Sequence, residues 1–256
     1  MNKIIIANWK MKLGIKKSLE LARQYVSNIK SEDKPSDLAG REIVICSSEI
    51  VLKDVSEIIK DSAIKLGAQN VFWEEKGSYT GEVSASMLTE VGCEYVIIGH
   101  SERRQYLLEN YQMIHQKIKA VLAIKNLTPI ICIGETLQDK EEDKRDYVIT
   151  DQLQQALGGI SLLAEQQLVV AYEPIWAIGT GQVIEPADAE NMHEIIHAVL
   201  VDLFGIDIVK NQIRVIYGGS VNAENVKGFS DLDNIDGFLI GGASLKIGEF
   251  INIIKN

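Results

Sequence analysis

The sequence predicts a closed (β/α)8 barrel forming one catalytic domain over residues 1–256, and three observations lead there. Eight short apolar runs rich in β-branched residues alternate with helical patterns along the chain. Most of these runs are apolar throughout instead of alternating, as expected for parallel strands covered by helices on one side and packed into a lumen on the other. No Gly-x-Gly-x-x-Gly follows the first run, where Asn8, Trp9 and Lys10 stand instead, and this disfavours a doubly wound dinucleotide fold. A length of 256 residues suits a single barrel, and no linker or low-complexity stretch divides it.

The elements follow in order. Residues 4–7 form the first strand, and Leu19, Ala22, Val26 and Ile29 give the next helix its apolar stripe. Strands follow at 43–46, at 64–68 (the weakest of the eight) and at 96–98. Ile114, Ile118, Val121 and Leu122 keep helical spacing before the strand at 130–133. The charged stretch 139–146 reads as the exposed start of a helix. After the strand at 168–171, Pro186 marks a helix start, with Met192, Ile195, Ile196, Val199, Leu200 and Leu203 as its stripe. Strands at 213–216 and 238–240 complete the set, and Ile247, Phe250, Ile251 and Ile254 line a closing helix.

Composition narrows the function. A formal charge of −10 argues against nucleic acid or an anionic membrane as a partner, so an anionic substrate must be drawn in locally. Cys46, Cys93 and Cys132 lack metal-ligand spacing and read as reduced thiols of a cytoplasmic protein. No signal peptide is expected from the first residues, where Lys3 is followed by only a short apolar run, and no apolar run approaches a membrane span.

In a barrel of this kind chemistry sits where strands end. Those positions hold Asn8 and Lys10, His100 with Glu102, Glu173, Gly218 to Ser220, and Gly241 to Ser244. Glu173 is a carboxylate at the end of a buried strand beside a proline and a glycine-flanked loop, which reads as a general base under a closing lid. Glycine pairs after the last two strands let backbone N–H groups approach a phosphate, and Lys10 adds a cation. A small phosphorylated substrate fits better than a nucleotide, since no Walker sequence is present.

The runs Asn8-Trp9-Lys10-Met11, Gly99-His100-Ser101-Glu102-Arg103-Arg104, Ala171-Tyr172-Glu173-Pro174-Ile175-Trp176-Ala177-Ile178-Gly179-Thr180-Gly181, Tyr217-Gly218-Gly219-Ser220-Val221 and Gly241-Gly242-Ala243-Ser244-Leu245 together resemble triosephosphate isomerase. Gly67-Ala68-Gln69-Asn70 and Ile131-Cys132-Ile133-Gly134-Glu135-Thr136 extend the resemblance, which runs from Lys3 to the last helix. It implies cofactor-free interconversion of dihydroxyacetone phosphate and glyceraldehyde 3-phosphate. Glu173 would move the carbon-bound proton through an enediolate, His100 would donate to the carbonyl oxygen as a neutral imidazole, and Lys10 would stabilise negative charge. That pairing of a carboxylate with a neutral histidine is established chemistry of the family resembled. Asn8 and Lys10 would border the substrate, Gly179, Ser220, Gly241 and Gly242 would hold its phosphate, and Glu102 would support the site. Departures from the family pattern fall at Ser47-Ser48, at Glu109 to Gln112 and at Ile247-Gly248, away from these matches.

Two further features point elsewhere. His193-Glu194-Ile195-Ile196-His197 matches a zinc-peptidase pattern, but no third ligand follows. The pair is expected at the solvent edge of an outer helix, with no metal bound. An aldolase-type Schiff base would have only Lys10 and would leave Glu173 without a role. A catalytically dead relative serving as a scaffold is disfavoured because every catalytic match is present. Loop 70–86 is too long for an ordinary βα connection and carries Phe72, Trp73 and Tyr79. A protruding loop has no core of its own to bury them, so a homodimer built through this loop is expected. The resemblance implies that Thr80 would lie near the Asn8 and Lys10 of the second subunit.

Overall fold

The structure is a computed structural model describing residues 2–29, 40–178 and 182–256. Eight parallel strands close in sequence order: β1 (Ile4–Asn8), β2 (Glu42–Ser47), β3 (Ile64–Ala68), β4 (Cys93–Ile98), β5 (Thr128–Ile133), β6 (Leu168–Tyr172), β7 (Ile213–Tyr217) and β8 (Gly237–Ile240). The expected barrel is the observed architecture. Closure runs through β1 and β8, paired from Ile4 with Gly237 to Ala7 with Ile240. Only Gly237 fits there, since a Cβ would stand 1.8 Å from the Ile4 carbonyl oxygen.

Alternation along each strand splits the core into two shells. Ile4, Ile6, Val44, Cys46, Ile97, Ile130, Cys132, Val169, Ala171, Ile216 and Leu239 fill the lumen. Ile5, Ala7, Ile43, Ile45, Val96, Ile98, Ile131, Val170 and Val215 face outward into the helical layer. Both faces are dry, which is why the strands read as unbroken apolar runs.

The helices are α1 (Ile15–Asn28), α2 (Leu52–Ile59), α3 (Ala85–Glu90), α4 (Ser101–Leu107), α5 (Tyr111–Leu122), α6 (Leu137–Glu141), α7 (Arg145–Leu157), α8 (Pro186–Phe204), α9 (Ile206–Gln212), α10 (Val226–Ser230) and α11 (Ile247–Lys255). Pro186 opens α8 as expected. Two readings are corrected and one is extended. The charged stretch 139–146 spans the end of α6, a turn in which Asp143 takes φ 56°, and the start of α7. The expected α1 stripe does face the core, with Ala22 and Ile29 buried and Leu19 and Val26 packed against it, and Ser18, Leu21 and Tyr25 widen it: the Tyr25 ring packs on Trp9 and Phe250 while its hydroxyl donates to the Ser244 carbonyl at 2.7 Å. His193 on α8 is fully buried instead of solvent-facing. Its ring meets Tyr172 edge-on, and its Nδ1 and the Nε2 of His197 both lie about 3 Å from the Asn234 carbonyl oxygen, so the two rings tie α8 to the turn before β8. Among the described residues no group of three or more His, Cys, Asp or Glu side chains is placed to hold a metal, and no helix is long and apolar enough to cross a membrane.

Candidate active site

A cavity of about 430 Å³ opens at the C-terminal end of the barrel. Asn8, Lys10, His100, Glu102, Glu173, Ser220, Gly241 and Gly242 all line it. The sequence-predicted residues therefore converge on one space, apart from Gly179, which lies outside the described residues. How each is positioned follows from the chain around it.

Lys10 stands just past β1 with φ 52°, a conformation L-residues rarely adopt. The Asn8 Oδ1 accepts from the Lys10 N–H at 3.1 Å, and the Gln69 Nε2 donates to the Lys10 carbonyl at 3.2 Å. These bonds hold the turn that aims the Lys10 ammonium across the cavity mouth. There it donates to Glu102 Oε1 at 2.8 Å. Partial burial alone would raise the Glu102 carboxyl, but the hydrogen bond and charge of Lys10 outweigh it and hold that group below the usual carboxylate range.

His100 caps α4. Its Nδ1 accepts from the Glu102 N–H at 3.2 Å, which leaves the ring proton of a neutral imidazole on Nε2. Nε2 lies 3.1 Å from Glu173 Oε1, while the Ser101 N–H donates to Glu173 Oε2 at 3.2 Å. The Glu173 side chain is only 2 % exposed, so its carboxylate is buried with two donors of the α4 N-terminus. Two glycines make room for it. A Cβ on Gly134 would lie 1.7 Å from the Glu173 carbonyl oxygen, and one on Gly218 would press on Glu173 Cγ at 2.9 Å.

Gly241 and Gly242 follow β8, and a Cβ on Gly242 would meet nothing within 4 Å, so its backbone faces open cavity. Ser220 Oγ donates to the Ala177 carbonyl at 2.7 Å, linking this glycine-rich side to the segment after Glu173.

Residues outside the expected set complete the frame. Glu109 Oε1 accepts from the Gly99 N–H at 3.0 Å, next to His100. Its Oε2 accepts from the buried Lys117 at 2.9 Å and also pairs with Arg103. Lys117 further donates to Asn70 at 2.8 Å, so one buried cluster braces the ends of β3 and β4. Burial would raise the Glu109 carboxyl, but Lys117 and Arg103 hold it low. The signal was in the sequence: Lys117 interrupts the stripe Ile114, Ile118 and Val121, and a lysine on an apolar face requires a buried partner.

Fold and cavity define a (β/α)8-barrel enzyme with an acid–base cluster beside a glycine-lined recess. The comparisons with known proteins narrow this to one family. The chain matches the triosephosphate isomerase family over residues 3–256. It is similar to the triosephosphate isomerases of Dictyoglomus thermophilum (42 % identical, covering 99 % of both chains), Alkaliphilus oremlandii (44 %, 98 % of both) and Caldanaerobacter subterraneus (42 %, 98 % of both). The chain belongs to the triosephosphate isomerase family, and its activity is that of a triose-phosphate isomerase.

Proposed function

We propose that this chain, as one barrel domain in the cytoplasm, interconverts dihydroxyacetone phosphate and glyceraldehyde 3-phosphate in glycolysis and gluconeogenesis, with Glu173, His100 and Lys10 carrying the chemistry. The observation that supports these roles best is the geometry at His100, whose Nδ1 faces the Glu102 N–H at 3.2 Å while Nε2 lies 3.1 Å from Glu173 Oε1.

The substrate phosphate would sit against the backbone of Gly241 and Gly242 and against Ser220, with Gly179 arriving from the lid over residues 174–181. Its reacting carbons would then lie between Glu173 and His100. In this arrangement both Glu173 oxygens are engaged by His100 and Ser101, so the carboxylate must leave them to reach a carbon-bound hydrogen. Glu173 takes that proton, His100 Nε2–H donates to the oxygen on which charge develops, and Lys10 stabilises the enediolate across the cavity. The same carboxyl returns a proton to the neighbouring carbon. Every step uses side chains already present, and no cofactor enters. A coupled assay of glyceraldehyde 3-phosphate turnover with and without a chelator tests the reading: unchanged turnover supports it, and loss on chelation with return on adding zinc overturns it.

The working unit we propose is a homodimer. In loop 70–86 the Phe72 and Val83 backbones bond, and Phe72 stacks near Trp73 and Tyr79 at centroid distances of 4.1 and 4.7 Å. The loop thus gathers its rings into a small cluster of its own, which revises the expectation that it could bury none of them. Tyr79 nonetheless remains 44 % exposed. A second cavity of about 500 Å³, lined by Asn8, Lys10, Met11, Gln69, Tyr106 and Leu107, adjoins the first. Met11 is 94 % and Tyr106 70 % exposed along it, an apolar rim suited to receive such a loop from a second copy. Tyr79→Glu is expected to give monomers by light scattering with sharply reduced kcat; a fully active monomer of the unaltered chain at micromolar concentration would contradict the dimer.

A further inference from the structure

The segment after Glu173 is pinned by an indole ring held from two directions. Trp176 lies in the single turn Ile175–Ala177, three positions from the catalytic carboxylate and joined to it through Pro174. Its indole Nε1–H donates to Glu135 Oε1 at 2.8 Å, and the Tyr172 hydroxyl shares that acceptor at 3.1 Å. From the opposite side Lys140, on α6, sets its ammonium 3.6 Å from the centre of the indole ring. The ring is therefore gripped in two ways that match its charge distribution: an acceptor at its electropositive edge and a cation over its electronegative face. Lys140 forms no ion pair among the described residues, so the indole is its principal polar partner there. Its helix is fixed in turn by the capping box of Thr136 and Asp139, which anchors α6 one residue after Glu135.

We propose that Lys140 is a positioning residue that clasps Trp176 and so stabilises the resting placement of the lid, opposing release of Glu173 from Ser101 and His100. This rests on the lid reading given above. In the present placement both Glu173 oxygens are occupied by α4 donors, and Ser220 holds the Ala177 carbonyl. Any movement that carries residues 174–178 over the substrate must pull the indole from under the Lys140 ammonium. The clasp therefore lowers the population of the binding-competent lid, and apparent affinity falls by the same fraction.

The test uses the full-length chain labelled with 5-fluorotryptophan and the non-isomerisable ligand glycerol 3-phosphate. The Trp176 fluorine resonance is assigned by its disappearance in Trp176→Phe. Saturating ligand is expected to shift that resonance in the parent. Lys140→Met keeps the aliphatic stem and removes the charge; it is expected to tighten glycerol 3-phosphate binding about two- to fivefold by calorimetry, the worth of one cation–π contact. Lys140→Arg is expected to restore the parent affinity. A merely structural lysine would on removal lower the melting temperature and loosen binding, the opposite sign. Unchanged or weaker binding in Lys140→Met, with the Trp176 resonance still shifting, overturns the clasp alone. A Trp176 resonance insensitive to ligand in the parent overturns the lid reading and the clasp with it.

Discussion

The two ends of the barrel lumen are built from the same kinds of residue and have opposite characters. At the N-terminal end Glu42, Lys65, Tyr95 and Arg214 point inward from four strands. Arg214 donates to Glu42 Oε2 at 2.6 Å and to the Tyr95 hydroxyl and Gln167 at 3.0 Å, while Lys65 reaches Glu42 Oε1 at 2.8 Å. Both oxygens of Glu42 are matched by cations, and the cluster closes the floor. At the C-terminal end Lys10, Glu102, His100 and Glu173 also touch one another, but over an open cavity flanked by bare glycine backbone. Charge that is matched and enclosed holds a fold together; charge whose partners can be exchanged for a substrate performs chemistry.

The sharpest way to break this contrast is at Glu173. Glu173→Gln is expected to lower kcat by at least ~10²–10⁴, the usual worth of a positioned base, while denaturant midpoints change little. Near-normal turnover of that variant would assign the base elsewhere. At the floor the pattern should invert. Arg214→Ala removes the cation from Glu42 Oε2 while Lys65 keeps Oε1, and is expected to cost roughly 1.5–3 kcal/mol of stability by denaturant unfolding, with kcat of the folded fraction within about threefold. A variant that kept its stability but lost activity would erase the distinction between the two ends.

Acid sharpens the same contrast. Burial would raise the Glu42 carboxyl, but Lys65, Tyr95 and Arg214 outweigh it and hold it at about 2, against an ordinary 4.5. A depressed carboxyl contributes stability in full above its unfolded value and loses it as pH falls through the folded one. The window is thus about pH 4.5 down to about pH 2, and the contribution lost is on the order of 3 kcal/mol. Unfolding free energy measured across that window should fall less steeply for Glu42→Gln than for the parent; parallel profiles would remove Glu42 as the source. The smallest effect is expected at α8, where His197→Ala together with exhaustive EDTA should leave kcat within about twofold. His193→Ala, by contrast, should lower stability, because its ring is fully buried against Tyr172.

How much of this was legible in the sequence follows the same division. The strands were readable because both of their faces are dry, so burial wrote continuous apolar runs. The α1 stripe was legible, but its buried Tyr25 was not, because that hydroxyl needs the Ser244 carbonyl, a partner 219 residues away that no periodicity reveals. His193 was misplaced for the same reason, its partner being the Asn234 carbonyl on a distant turn. At the site, Lys10, His100 and Glu173 were found as polar residues at strand ends, and their mutual distances needed the fold. Glu109 read as lying away from the site and Lys140 as a solvated charge because each acts through another residue, one through the Gly99 backbone and one through the Trp176 ring.

The most direct measurement is isomerisation of dihydroxyacetone phosphate in deuterium oxide by the purified parent and Glu173→Gln chains, with products read by proton NMR. Proton transfer by a carboxylate that exchanges with solvent places deuterium on C2 of glyceraldehyde 3-phosphate, and Glu173→Gln should abolish both turnover and label. A Glu173→Gln chain that still isomerises and labels its product at the parent rate would contradict Glu173 as the proton carrier.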